Sequence, residues 1–287
     1  MPLTHKLAVI GDPIAHSLSP ALQNFLIRHF ALPFTYEALH IRQNDLPEMM
    51  QRLRRGEFCG INVTLPHKQT VLSFLDEVDV TAARIGAVNT IVAEKGRLIG
   101  YNTDAAGFSR SLETAGVVTA GKSVLVLGAG GAARAIIFAL LQADIGKIIV
   151  CNRSVERAAT LIAAFTNHAA PKQLQCVLWP ERTDWIKKNE VKLFINTTRV
   201  GMHPHDDESP LPDEVFARLM TVIDLVYNPV QTRLLRAANF TGAKIVNGLG
   251  MLIYQGVAAM ELWCGKQLDV SRIYSSLENI LMRALKR

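Results

Sequence analysis

The chain has 287 residues, with 31 basic and 25 acidic side chains for a net charge of +6. That length exceeds what one hydrophobic core usually organises and suits two domains of roughly 100–150 residues. A hydrophobic share of 49% with 20% charged residues excludes a disordered chain, and the basic residues are spread along the sequence without interleaved aromatics, which excludes a nucleic-acid footprint.

Four cysteines (Cys59, Cys151, Cys176, Cys264) are far apart in sequence and lack metal-ligand or CxxC spacing. The expectation is a cytoplasmic protein with reduced thiols. The apolar run after the first methionine is too short for a signal peptide. The apolar stretch 124–141 is split by Gly128, Gly130 and Gly131 into a strand and a helix, each too short to cross a bilayer.

In chain order, β-type runs at 7–11, 34–40 and 60–64 alternate with helical patterns at 20–30 and 46–53. That alternation predicts a mostly parallel sheet covered on both faces. Ser19 before Pro20 has the form of a helix N-cap. Runs at 89–93 and 97–102 predict a hairpin that closes this unit. A second series follows: strand 123–128, helix 132–143, strand 147–152, helix 154–165, then strands 193–196, 221–226 and 244–246. Two last helical patterns, about 251–264 and 271–285, have no further sheet to build and are expected to pack back on the first unit or across the seam.

Gly128-Ala129-Gly130-Gly131-Ala132-Ala133 follows five β-type residues and opens a helix. This is a GxGxxA form of the dinucleotide fingerprint in strand–turn–helix context, where glycines admit a pyrophosphate and the helix start supplies free N–H groups and a favourable dipole. The next strand ends Cys151-Asn152-Arg153-Ser154, with Arg157 one turn later and no acid at the strand tip. An NAD site usually carries an acid there for the ribose hydroxyls. Two guanidinium groups and a hydroxyl suit a ribose 2′-phosphate instead, and the cofactor expected is NADP.

Polar residues cluster where the first unit's strands end: Ser17 and Ser19, then Asn62, Thr64 and Lys68, then Asp104. Ligands of open α/β sheets bind beyond the carboxyl ends of strands. Each residue taken alone also has a bland reading: Ser19 and Asp104 as caps, Asn62 and Thr64 as edge-strand residues, Lys68 as a solvated helix residue. Alcohol oxidation needs a positioned base beside the reacting hydroxyl while hydride goes to a nicotinamide, and Lys68 with Asp104 is the available pair. Burial lowers a lysine pKa and a neighbouring carboxylate raises it; the sequence leaves that contest open. His203-Pro204-His205-Asp206-Asp207-Glu208 has the composition of a metal cluster, but its proline and acid run read as a solvated loop, and no metal is expected.

The segments SLSP, NVTLPHK, IGAVNT, GYNTDAAG, LGAGGAAR, NRS and GMLIYQG, in this order over nearly the whole chain, resemble the shikimate dehydrogenase (shikimate/quinate dehydrogenase) family. The resemblance implies two open α/β domains with the active site in the cleft between them. The N-terminal substrate domain would be completed by the C-terminal helices (1–103 and 239–287), beside a Rossmann-type NADP-binding domain (104–238). It implies reversible NADPH-dependent reduction of 3-dehydroshikimate to shikimate in aromatic amino-acid biosynthesis, with Lys68 as catalytic lysine and Asp104 as its partner. Substrate would be held by Ser17 and Ser19 at the carboxylate, with Tyr227 near it, and by Thr64, Asn89, Asp104 and Gln255 at the ring hydroxyls. Cofactor contacts would fall on Gly128, Ala129, Gly130, Gly131, Ala132, Asn152, Arg153, Ser154, Arg157, Leu225 and Gly248. Residues 196–202 resemble the family's nicotinamide-side loop, in which Arg199 is an added charge that meets either phosphate or solvent. Shikimate is the small-molecule partner implied, no nucleic acid or membrane is expected, and a homodimer stays open. A quinate/shikimate enzyme that also uses NAD, and a noncatalytic sensor on the same fold, are the competing readings.

Overall fold

In the computed structural model, residues 5–189, 191–216 and 220–285 are described. The strands are β1 (His5–Gly11), β2 (Phe34–His40), β3 (Gly60–Val63), β4 (Glu77–Val78), β5 (Thr90–Glu94), β6 (Arg97–Tyr101), β7 (Ser123–Leu127), β8 (Lys147–Asn152), β9 (Leu174–Leu178), β10 (Leu193–Asn196), β11 (Thr221–Asp224) and β12 (Lys244–Val246). The helices are α1 (Ser19–His29), α2 (Leu46–Arg54), α3 (Val80–Ile85), α4 (Asp104–Thr114), α5 (Gly131–Gln142), α6 (Val155–Phe165), α7 (Arg182–Lys188), α8 (Arg233–Phe240), α9 (Leu249–Cys264) and α10 (Tyr274–Ala284). The chain divides into two compact units, Met1–Gly107 with Leu252–Arg287, and Phe108–Met251.

The first unit holds a six-stranded sheet in the order β2-β1-β3-β5-β6-β4. It is more mixed than the alternation predicted: β5 runs antiparallel to both β3 and β6, while the other pairs are parallel. The β5–β6 hairpin turns on Lys95 and Gly96, both at positive φ (51° and 79°), as a two-residue type I′ loop requires. Strand β4 has only two residues and leaves no periodic signal in the sequence. Helix α2 buries Leu46, Met49, Met50 and Leu53, the i, i+3, i+4, i+7 stripe of a surface helix. These side chains join Ile10, Ile61, Ile91 and Leu98 in one apolar cluster.

The C-terminal helices belong to this unit. Gly60 and Trp263 are in such close approach that a Cβ at position 60 would strike the indole, and the indole Nε1 donates to Ile91 O at 3.1 Å. Buried Gln23 of α1 donates to Gly256 O at 2.9 Å. Ser19 is the first residue of α1 and Leu18 occupies the cap position without a side-chain bond, so Ser19 is not the cap that its place before Pro20 suggested.

The second unit holds a parallel sheet in the order β12-β11-β10-β7-β8-β9. Its order reverses beside β7, the strand that carries the glycine turn, as in doubly wound nucleotide-binding sheets. Strand β12 pairs with β11, so residues 239–251 belong with the second unit and residues 104–107 with the first, the reverse of how the sequence reading assigned them. Strand β9, an edge strand with a half-buried Leu174 at one end, an exposed Leu178 at the other and an exposed Cys176 between them, lacks the clean alternation that would have announced it. Val124–Leu127 and Ile148–Cys151 are fully buried, which is why both strands read as unbroken apolar runs.

Candidate active site

In the first unit, Lys68 Nζ donates to Asp104 Oδ2 at 2.5 Å. The two side chains are 15% and 5% exposed, so the pair is largely withdrawn from water. Asp104 opens α4, its backbone N–H donating to Asn102 Oδ1 at 3.0 Å. The bland reading of Asp104 as a mere helix cap is set aside by this partner: its carboxylate is spent on Lys68 and on Asn89, whose Nδ2 donates to Asp104 Oδ1 at 2.8 Å. Lys68 follows β3 in a tight segment held by His67 N to Thr64 O and by Val88 N to Lys68 O. Buried His67 adds a ring Nε2 bond to Ile41 O at 2.6 Å; a carbonyl only accepts, so Nε2 carries the proton, and the ring Nδ1 has no hydrogen-bond partner among the described residues.

Asn89 is the node of this cluster. Its Nδ2 also lies within hydrogen-bond distance of Thr103 Oγ1 and Gln255 Oε1 (2.9 and 3.4 Å), and its Oδ1 accepts from Thr103 N and Thr90 Oγ1 (2.8 and 3.0 Å). Thr90 Oγ1 in turn accepts from Asn62 Nδ2 at 3.1 Å. Asn62 Oδ1 accepts from the Tyr36 hydroxyl at 2.6 Å. Burial pushes the Tyr36 phenol well above its ordinary pKa, while a hydrogen bond with the Ser19 side chain pulls the other way. A continuous polar chain therefore runs from Ser19 through Tyr36, Asn62, Thr90 and Asn89 to Asp104 and Lys68. Ser17 is half-buried, with its Oγ accepting from Ser19 N at 3.3 Å. Thr64 packs its methyl against Gly11, where a Cβ would approach within 2.6 Å. Of the expected substrate residues, Ser17, Ser19, Thr64, Lys68, Asn89, Asp104 and Gln255 all lie in this unit; Tyr227 belongs to the second, three residues past β11.

In the second unit, Gly128 has φ +110°, a conformation that L side chains rarely adopt, and a Cβ at Gly130 would meet nothing within 4 Å. Helix α5 begins at Gly131 with no side-chain cap, which leaves its first N–H groups and dipole free for an anion. At the tip of β8, Asn152 Nδ2 donates to Ser154 O at 2.9 Å, and Ser154 caps α6 by accepting from Arg157 N at 3.2 Å. Arg153 and Arg157 are exposed, and neither guanidinium has an ion pair among the described residues. Glu156, in the first turn of α6, accepts the Ser154 hydroxyl at 2.7 Å, a bond that lowers its pKa. Gly248 packs directly under the Leu225 carbonyl, leaving no room for a side chain.

Residues 9–91 match the shikimate dehydrogenase substrate binding domain, residues 112–189 the shikimate / quinate 5-dehydrogenase family, and residues 248–278 the shikimate 5′-dehydrogenase C-terminal domain. The chain is 44% identical over 271 residues to the shikimate dehydrogenase (NADP(+)) of Moorella thermoacetica, covering 93% of this chain and 90% of that protein. The chain belongs to the shikimate dehydrogenase family. The crystal structure of shikimate 5-dehydrogenase from Thermus thermophilus in complex with NADP(H) and shikimate superposes with a TM-score of 0.85 at 41% identity, covering 98% of this chain and 99% of that one. The Aquifex aeolicus shikimate dehydrogenase gives 0.86 at 36% identity, covering 100% and 99%.

For a shikimate dehydrogenase family member, the second unit offers what a phosphorylated dinucleotide needs: a glycine cradle with an open face, an uncapped helix start, and two arginines without carboxylate partners among the described residues. The residues present fit NADP. The sequence reading missed Tyr36 and Thr90 in the first unit. It also missed a buried cluster in the second, where Asp224 accepts from Asn196 Nδ2 (2.9 Å), Val226 N (3.0 Å) and Thr232 Oγ1 (2.6 Å). Burial pushes the Asp224 carboxyl up to about 6, against the pull of those three bonds. The signal available was a polar residue inside an apolar strand, Asn62 in GINV and Asp224 in TVID, since buried polar side chains are the informative exceptions. The His203–Glu208 loop forms two exposed i,i+3 contacts, His203 to Asp206 and His205 to Glu208 (3.4 and 3.7 Å).

Proposed function

We propose that the protein catalyses the reversible NADP-dependent interconversion of shikimate and 3-dehydroshikimate. The observation that carries this reading is the Lys68–Asp104–Asn89 cluster on the first unit of a chain from this family. Bound NADP supplies the hydride acceptor, and its reduced form the donor. Lys68 moves the proton at the reacting oxygen: it takes the hydroxyl proton in the oxidative direction and returns one to the carbonyl oxygen in the reductive direction. Asp104 fixes the Lys68 amine through its 2.5 Å bond and presents the same carboxylate to a substrate hydroxyl. Asn89 keeps the carboxylate from rotating, since it holds the other oxygen. Thr64 and Gln255 are proposed as further partners of the ring hydroxyls, and Ser17 and Ser19 as donors to the substrate carboxylate.

Discrimination between cofactors is assigned to Arg153 and Arg157, whose planar forks suit a 2′-phosphate. Shikimate is favoured over quinate because quinate carries an extra hydroxyl on a tetrahedral carbon at the carboxylate end, although exclusion of a hydroxyl by shape alone is often limited to about 10²-fold. A spectrophotometric assay of shikimate and quinate with NADP and with NAD tests the reading. Shikimate with NADP should give the highest kcat/KM; no turnover with any of the four pairs would overturn it in favour of a noncatalytic binding protein.

A further inference from the structure

Arg199 belongs to no part of the polar cluster and to neither of the two arginine positions at the tip of β8, yet its surroundings are built with care. It follows β10, which lies beside β7 in the sheet, with Asn196 opposite Leu127 and Leu127 opposite Cys151. Neighbouring strands are about 4.8 Å apart, so the segments past Asn196, Leu127 and Cys151 form adjacent rows at one edge. The middle row is the glycine turn.

The Arg199 turn rests on that glycine turn. Thr197 Oγ1 donates to Leu127 O at 2.6 Å and Thr197 N to the same carbonyl at 2.9 Å. A Cβ at Gly128 would strike Thr197 Oγ1 and crowd the Thr198 methyl. The turn is also held from behind: Asn196 Oδ1 accepts from Thr198 N and Thr198 Oγ1 (3.0 and 2.7 Å), and Asn196 Nδ2 reaches Val200 O at 3.3 Å and Asp224 Oδ1 at 2.9 Å. Arg199 is the exposed tip of this fixed turn, and its guanidinium has no hydrogen bond or ion pair among the described residues. A long cation is thus presented from a rigid base at the rim of an anion cradle, with no carboxylate to neutralise it.

We propose that Arg199 is a third phosphate-binding guanidinium of the nucleotide site, acting with Arg153 and Arg157. The proposal rests on the reading that this site takes NADP. The phosphate it meets is either the ribose 2′-phosphate or the pyrophosphate, and the two are separable because NADH carries only the second.

The experiment is a fluorescence titration of NADPH and of NADH into the wild-type protein and Arg199→Gln, at low and at raised salt, with urea unfolding of both as a control. A charge-assisted hydrogen bond of ordinary strength corresponds to roughly tenfold or more in affinity. The expected result is NADPH binding weakened by about that factor in Arg199→Gln, with a flatter dependence on salt and an unchanged urea midpoint. Loss for NADPH alone assigns the guanidinium to the 2′-phosphate; equal loss for NADPH and NADH assigns it to the pyrophosphate. An NADPH affinity within about twofold of wild type overturns the proposal. A wild-type protein that binds neither nucleotide would instead overturn the cofactor reading itself, which keeps the two failures distinct.

Discussion

In the first unit, the Asp104 carboxylate already accepts from Lys68 and Asn89, and the amides and hydroxyls behind it are bonded to one another as far as Tyr36. In the second unit, the N-terminal turn of α5 has no side-chain cap, and Arg153, Arg157 and Arg199 stand exposed without ion pairs among the described residues. The contrast follows from what each region must do. A proton-transfer group needs its position fixed before substrate arrives, because small displacements cost rate, and buried partners fix it. An anion cradle gains its affinity from donors that only the ligand satisfies, so its groups are left to water until then. The first arrangement ties function to stability, and the second separates them.

The largest effect should come from the fixed cluster. Lys68→Ala is expected to lower kcat by about 10²–10⁴-fold, with a much smaller change in shikimate KM, measured in steady state at saturating NADP. Near-normal turnover in that variant would mean that the proton travels through another group. The variant also leaves a buried carboxylate without its cation, so its urea midpoint should fall as well.

Arg153→Gln/Arg157→Gln tests the other half of the contrast. Charge-assisted bonds contribute roughly 1.5–3 kcal/mol each, so NADPH affinity should fall by well over tenfold while NADH affinity stays nearly constant. Unfolding free energy should stay within about 0.5 kcal/mol of wild type, as for other exposed substitutions. A large stability loss would break the separation of binding from stability, and equal loss for both nucleotides would move these arginines from the 2′-phosphate to the pyrophosphate.

Asn89→Ala brings both readouts together. It removes one bond to Asp104 and leaves the buried Thr103 N–H without the acceptor it now has at 2.8 Å. An orphaned buried donor costs about 1–3 kcal/mol, so urea denaturation should show a loss of that order. The kcat should fall as well, because Asp104 is then free to rotate. Loss of stability with unchanged kcat would reduce Asn89 to a purely structural residue.

How much of this was legible in the sequence follows the same division. The glycine turn, Asn152 to Arg157, and the Lys68 segment are local: their residues are neighbours along the chain, and strand–turn–helix context gives them meaning. The Ser19–Tyr36–Asn62–Thr90 chain is not local. It depends on β3 lying between β1 and β5 and on β5 running antiparallel, and no periodicity encodes which strands become neighbours. Ser19 shows the cost of local reading alone: Ser before Pro reads as a cap, but its side chain is engaged with Tyr36. Asp224, Asn196 and Thr232 likewise meet only because β10 and β11 are adjacent.

Asp224 sharpens the contrast, because the second unit has a buried polar node of its own, holding the ends of β10 and β11 behind the Arg199 turn. No cation is among the partners that bond this carboxylate, and burial pushes its pKa up to about 6, above the ~3.9 of an unperturbed aspartate. The folded protein therefore holds this proton over a pH range where the unfolded chain has lost it. With more protons bound in the native state, the unfolding free energy falls as pH rises from about 4 to about 6. The shift corresponds to about 2–3 kcal/mol, with no further change from this group above about pH 7. Asp224→Asn removes the titration and keeps an oxygen for Asn196 and Val226, while its amide faces the Thr232 hydroxyl, which must turn its proton elsewhere. That lost bond shifts the variant's stability by a similar amount at every pH, so the informative quantity is the slope. Urea unfolding of wild type and Asp224→Asn across pH 4.5–7.5 should give curves that diverge on the acid side, the variant gaining relative to wild type as pH rises. Parallel curves would mean that Asp224 is already ionised at the acid end and that its three hydrogen bonds outweigh its burial.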